Sequence, residues 1–114
     1  MFERGDIVHL QFDPSTGREM KGPHYGLVVS RREVNNMGGG LVCPITGGRQ
    51  DVARSLGLAA SLSGAGLMTD GVVLTVQGRF CDFRARRARF VERVPDYILD
   101  DVIAKLAAII GADE

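Results

Sequence analysis

The chain has 114 residues, 45% of them apolar and 25% charged, with a formal net charge of zero. That suits one globular domain around one hydrophobic core. The two cysteines, Cys43 and Cys81, form no CxxC pair and lie in apolar, strand-like context. With only His9 and His24 to assist them, the expectation is buried thiols in a reducing, cytoplasmic setting, with neither a disulfide nor a metal site. The opening MFERGD has no long apolar run, so no signal peptide is expected, and no segment is long enough to cross a membrane.

In chain order, residues 6–12 (DIVHLQF) alternate apolar and polar side chains and predict a strand. Residues 13–23 (DPSTGREMKGP) form a turn-rich loop. YGLVVS, 25–30, is apolar and β-branched and predicts a second strand, with His24 at its mouth. NNMGGG, 35–40, tolerates positive φ and predicts a hairpin connection. LVCPI, 41–45, predicts a third strand, which Pro44 places at an edge or a bulge. Residues 46–70 are glycine-broken and fit a loop, a short strand near Leu56–Leu58 and a surface turn. GVVLTVQ, 71–77, predicts a strand, and RFCDFRAR, 79–86, pairs or continues after a kink at Gly78.

The period changes at 95–111. Leu99, Val102, Ile103, Leu106 and Ile110 recur at three- and four-residue spacing, Pro95 and Asp96 suit a first turn, and Gly111 suits a C-cap. Burying that stripe contributes roughly 1.5–3 kcal/mol per large side chain. The plan is a single, mostly β domain, a small antiparallel sheet or barrel closed by one amphipathic helix.

The neutral total hides an uneven distribution. Residues 79–93 carry Arg79, Arg84, Arg86, Arg87, Arg89 and Arg93 against Asp82 and Glu92. Downstream, Asp96, Asp100, Asp101, Asp113 and Glu114 outweigh Lys105. A basic surface of this kind attracts a polyanion, although a charge-rich run is by default a solvated face.

RGDIVHLQFDPSTGRE, LVVS, LVCPIT and DGVVLTVQGRFCDFRAR, followed by a terminal amphipathic helix, closely resemble in order and content the MazF/PemK toxins of type II toxin–antitoxin systems, in their ChpB-like branch. The resemblance covers nearly the whole chain. It implies an SH3-like small β-barrel and a homodimer. The implied activity is a metal-independent endoribonuclease, an mRNA interferase that cuts single-stranded RNA at short sequences and needs no cofactor. It also implies a cognate antitoxin that blocks the toxin, with DNA contact only through the antitoxin complex.

One departure matters. The family commonly reads G-x-R-P before its second strand, and that Arg is catalytic. Aligning on LVVS sets His24 in its place and Tyr25 in that of the Pro. Thr46 matches the second catalytic family residue. The family's Asp-Gln pair becomes Val76-Gln77, keeping the Gln alone.

Metal-free RNA cleavage turns the substrate's own 2′-OH on the adjacent phosphorus. The protein must take a proton, give a proton and stabilise charge on the phosphate oxygens. Imidazole is the side chain that changes charge nearest neutral pH, whereas an Arg stays charged. His24 is therefore a chemically permissible replacement, at the loss of a bidentate phosphate clamp. Thr46 supplies a hydroxyl, and Gly47 after it an exposed N–H.

His24 and Thr46 are the candidate catalytic residues, against the plainer readings of a loop histidine and a strand-end threonine. Arg79 and Arg84, flanking the strand that carries Gln77, are candidate phosphate contacts. Gln77 and Tyr25 are candidates for base contacts, and Arg18 and Glu19 lie in the loop that closes over substrate in the family. Arg86, Arg87 and Arg89 read as surface or dimer-contact residues. Two alternatives stand beside this reading. A CcdB-like gyrase poison shares the fold but acts through a terminal Trp-Gly-Ile, which IIGADE lacks. A degenerate family member would bind antitoxin without cutting.

Overall fold

The computed structural model describes residues 1–14, 17, 19, 21–47 and 57–113. Among the described residues there are seven strands: β1 (Asp6–Gln11), β2 (Pro23–Val28), β3 (Gly39–Thr46), β4 (Ala59–Ser61), β5 (Val72–Leu74), β6 (Arg79–Asp82) and β7 (Arg89–Arg93). A one-turn helix α1 (Arg32–Asn35) precedes β3, and helix α2 (Asp96–Ile110) follows β7. The sheet is antiparallel in the order β4-β5-β3-β2-β1-β7, and β6 pairs with β3 beside β5. Mostly β with one C-terminal helix is the expected class.

The central strands are buried on both faces, which is why their sequences read as continuous apolar runs. One face packs Ile7, Leu27, Cys43, Ile45 and Val73 under Ile98, Leu99 and Val102 of α2. The other packs Val8, Leu10, Phe12, Val28 and Val42 against Cys81 and Phe83. Leu27 and Val28 are sequence neighbours that serve opposite cores, as strand geometry requires. Both cysteines are buried and free; burial first, and then the neighbouring Cys81, pushes the Cys43 thiol up to about 12.

α2 keeps the boundaries read from the sequence. Pro95, extended at its N-cap, lacks the N–H that the first turn would leave unpaired, and Asp96 sits in the positive first turn. Gly111 at φ 75 closes the other end: its N–H reaches the Ala108 carbonyl, and that of Ala112 reaches Ala107. That pair of bonds needs a left-handed residue, which glycine supplies.

Elsewhere the structure corrects the reading. β2 starts at Pro23, so His24 lies inside a ladder, opposite Leu10. NNMGGG is not a bare hairpin: Asn35 ends α1, and Gly39 and Gly40 already belong to β3. Buried Asn35 explains this, because it bonds Ser30 and the Phe2 carbonyl while the Ser30 hydroxyl takes the Leu41 N–H. β3 is central rather than an edge. Its far side pairs with β6 through 39–42 and with β5 at 45–46, leaving Pro44 opposite the gap, where no ladder bond is required of it. The strand expected near Leu56–Leu58 begins at Ala59, and Leu56 lies outside the described residues. The strand expected over 71–77 ends at Leu74, where Thr75–Gln77 turn as a 3₁₀ segment and the Thr75 hydroxyl caps the Leu58 carbonyl. β6 ends at Asp82, whose side chain takes the Ala85 N–H and starts a turn. The arginine-rich run conceals a further strand, β7.

Candidate active site

The β2–β3 ladder ends with Tyr25 opposite Ile45. The next residues outward are His24 on β2 and Thr46 on β3, each one step beyond the last paired residues of that register. Side chains alternate along a strand, so both face the side that holds Gly26, Val28 and Val42. Each is half-buried, within reach of solvent. Gly26 lets the strands close beneath them: a Cβ there would lie 2.5 Å from Val42 Cγ1 and 3.3 Å from Leu10 Cδ2 and Phe12 Cζ.

Thr46 is held from its other side. It stands opposite Val72 of β5, and Gly71, at φ 119, presses so closely that an added Cβ would collide with the Thr46 carbonyl. Gly71 follows a loop pinned to β7 by Glu92, which accepts from the Met68 N–H at 3.1 Å and from the Thr69 N–H and hydroxyl at 2.7 Å each. Burial pushes the Glu92 carboxyl up, but those three donors outweigh it and hold it below the usual value.

The β1–β2 loop is closed at its base by Phe12 N–H to the Gly22 carbonyl at 2.8 Å and Gly22 N–H to Asp13 Oδ1 at 3.1 Å. Two arginines grip the same base. Arg79, opposite Val42 on the His24 face, donates to the carbonyls of Phe12 at 3.3 Å and Pro14 at 3.4 Å. Arg86 donates through Nη1 to the carbonyls of Gln11 at 3.1 Å and Asp13 at 2.9 Å. Arg86 thus anchors the loop beside the candidate site. The sequence offers no sign of this, because the contact spans 73 residues to Asp13.

The remaining candidates divide. Tyr25 stands on the opposite face from His24, with its ring edge-to-face with His9 at 5.2 Å. Gln77 occupies the 3₁₀ turn two residues before Arg79. Arg84 lies exposed in the turn after β6. Glu19 is exposed in the β1–β2 loop, and Arg18 lies outside the described residues. Among the described residues, no three His, Cys, Asp or Glu side chains gather as metal ligands, and no helix is long and apolar enough to cross a membrane.

A small antiparallel β fold closed by a C-terminal helix, with a half-buried His–Thr pair beside an arginine-clamped loop, defines the structural class. Residues 3–110 match the family described as PemK-like, MazF-like toxin of type II toxin-antitoxin system. The chain belongs to that family.

It is 38% identical to the Endoribonuclease PemK of Escherichia coli over 109 residues, covering 95% of this chain and 81% of that one. It is 37% identical to the Endoribonuclease toxin ChpB of Escherichia coli (strain K12), covering 96% of this chain and 94% of that one. Among solved structures, MazF of Deinococcus radiodurans superposes with a TM-score of 0.86 at 32% identity, covering 96% of each chain. A MazE–MazF structure from the same organism gives a TM-score of 0.79 at 31% identity, covering 96% of this chain and 95% of that one.

Proposed function

We propose that this protein is an endoribonuclease toxin that cleaves single-stranded RNA, works as a cytoplasmic homodimer and is neutralised by a cognate antitoxin. What supports the catalytic reading is that His24 and Thr46 share one face, each one step beyond the last β2–β3 pair, beside the loop that Arg79 and Arg86 hold.

In the proposed reaction the ribose 2′-oxygen bonds to the adjacent phosphorus as the P–O5′ bond breaks. This leaves a 2′,3′-cyclic phosphate and a 5′-OH. His24 takes or returns the proton that this exchange requires. The Thr46 hydroxyl donates to a phosphoryl oxygen, and the guanidinium of Arg79, a five-donor group, adds positive charge nearby. Glu19 and Gln77 are assigned to contacts with the bases, Arg18 is assigned with them from its place in the sequence between β1 and β2, and Arg84 is assigned to a phosphate further along the RNA.

Dimerisation is supported by an apolar surface. Leu41 is 50% exposed, Phe80 63% and Ile110 76%. Beside them a groove of about 270 Å³ runs between β3 and the end of α2, lined by Val29, Cys43, Val76 and Leu106 among others. A second copy would remove that surface from water. The antitoxin reading draws on the MazE–MazF structure. An acidic segment that folds on binding suits the arginine-rich stretch 79–93.

The test is incubation of the purified protein with a long single-stranded RNA in EDTA. The expected products carry 5′-OH ends, which a kinase labels without prior phosphatase treatment. RNA left intact across several substrates would overturn the nuclease reading.

A further inference from the structure

His9, Tyr25 and Arg89 form a row across three strands. His9 stands opposite Tyr25 on β2 and opposite Arg89 on β7. Directly opposed residues share a face, and this face is the one opposite to His24. The His9 and Tyr25 rings meet edge-to-face at an interplanar angle of 76°. In that arrangement the ring that points its edge keeps both faces clear of its partner, and Tyr25 is 40% exposed.

Next to this pair a cavity of about 340 Å³ opens, walled by His9, Gln11, Pro23 and the three arginines Arg86, Arg87 and Arg89, with no Asp or Glu among the described residues of its lining. Arg86 is committed to the carbonyls of Gln11 and Asp13. Arg87 and Arg89 are exposed at its rim. The arginine-rich turn puts them there: Arg87 adopts φ 54, and its N–H and that of Ala88 reach back to the carbonyls of Arg84 and Phe83.

We infer that this cavity is a second nucleotide subsite for single-stranded RNA, where one base stacks on the His9–Tyr25 pair and Arg87 and Arg89 hold the phosphates beside it. The inference rests on the endoribonuclease reading and extends it. Tyr25 and His24 are adjacent on β2, so the strand end between them is where an RNA chain passes from the reacting face to this platform. Aromatic stacking with cationic flanks is sequence-tolerant and holds bases apart, as single-strand binding requires. The arginines match the charge of a phosphate backbone, and the ring pair beside them matches a base, so the two halves of one nucleotide each find their partner.

The experiment measures binding of a 2′-O-methyl RNA oligonucleotide, which lacks the attacking hydroxyl, by fluorescence anisotropy across a salt series. An abasic position is walked along a second set of oligonucleotides. One abasic position is expected to weaken wild-type binding roughly five- to tenfold. That sensitivity disappears in His9→Ala and returns in His9→Phe.

The double variant Arg87→Asn, Arg89→Gln, whose Asn tolerates the left-handed backbone, binds more weakly. Its salt slope falls by about 0.7 for each phosphate that is no longer neutralised. Its KM for a cleavable RNA rises while kcat holds. Wild-type affinity and salt slope in the double variant, with wild-type cleavage intact, would overturn the subsite and leave the nuclease reading standing. The expected binding behaviour without cleavage by the wild type would do the reverse. A wild type that neither binds nor cuts would overturn both.

Discussion

Gly71 presses against the carbonyl of Thr46, leaving no room for a Cβ between β5 and β3. The position of the candidate Thr hydroxyl is therefore set by a glycine that shares no chemistry with it. Gly71 also sits at φ 119, where an L side chain is strained.

Gly71→Ala is expected to displace Thr46 outward and to destabilise the fold by about 1–3 kcal/mol. RNA cleavage should fall more than the fraction unfolded accounts for. Thermal melting and an activity assay on the folded fraction check this together; full activity per folded molecule would show that Thr46 needs no such support.

Arg86 ties the turn after β6 to the β1–β2 loop through two backbone carbonyls. Arg86→Ala should cost about 1–2 kcal/mol, the usual effect of removing hydrogen bonds from a charged donor. It should also free the loop base, so that KM for RNA rises more than kcat falls. Steady-state kinetics separate the two.

Long-range ties of this kind are the part that local sequence does not supply. Strand periodicity and the helix stripe locate β1, β2 and α2, because each buries a patterned face that its own residues define. β7 escapes, since Arg89, Phe90, Val91, Glu92 and Arg93 look like a solvated charge run until β1 supplies a partner. The length of β5 is illegible for a similar reason: Thr75 bonds the Leu58 carbonyl, a contact 17 residues away, and turns the chain out of the sheet. Motif order singles out His24 and Thr46, while their shared face follows from the β2–β3 register. The His9–Tyr25 platform needs the β1–β2 register in the same way, as nothing in either segment announces the other.

Glu92 links the 62–71 loop to β7, and its carboxyl is held below its ordinary value of about 4.5 by the Thr69 and Met68 donors. A depressed carboxylate contributes stability above its unfolded pKa, and that contribution is lost as pH falls through the folded value. Glu92→Gln should therefore be less stable than the wild type at pH 7. The gap should narrow below about pH 4.5. Urea titrations at several pH values read the difference; a gap that widens on acidification would contradict the assignment.

The most direct measurement is the single-turnover rate of RNA cleavage by His24→Ala beside the wild type, with melting temperatures recorded for both. The account predicts a loss of at least about a hundredfold, the usual share of a proton-transfer group, at a melting temperature within a degree or two of the wild type. Cleavage within a few-fold of the wild-type rate, by an equally stable variant, would contradict it.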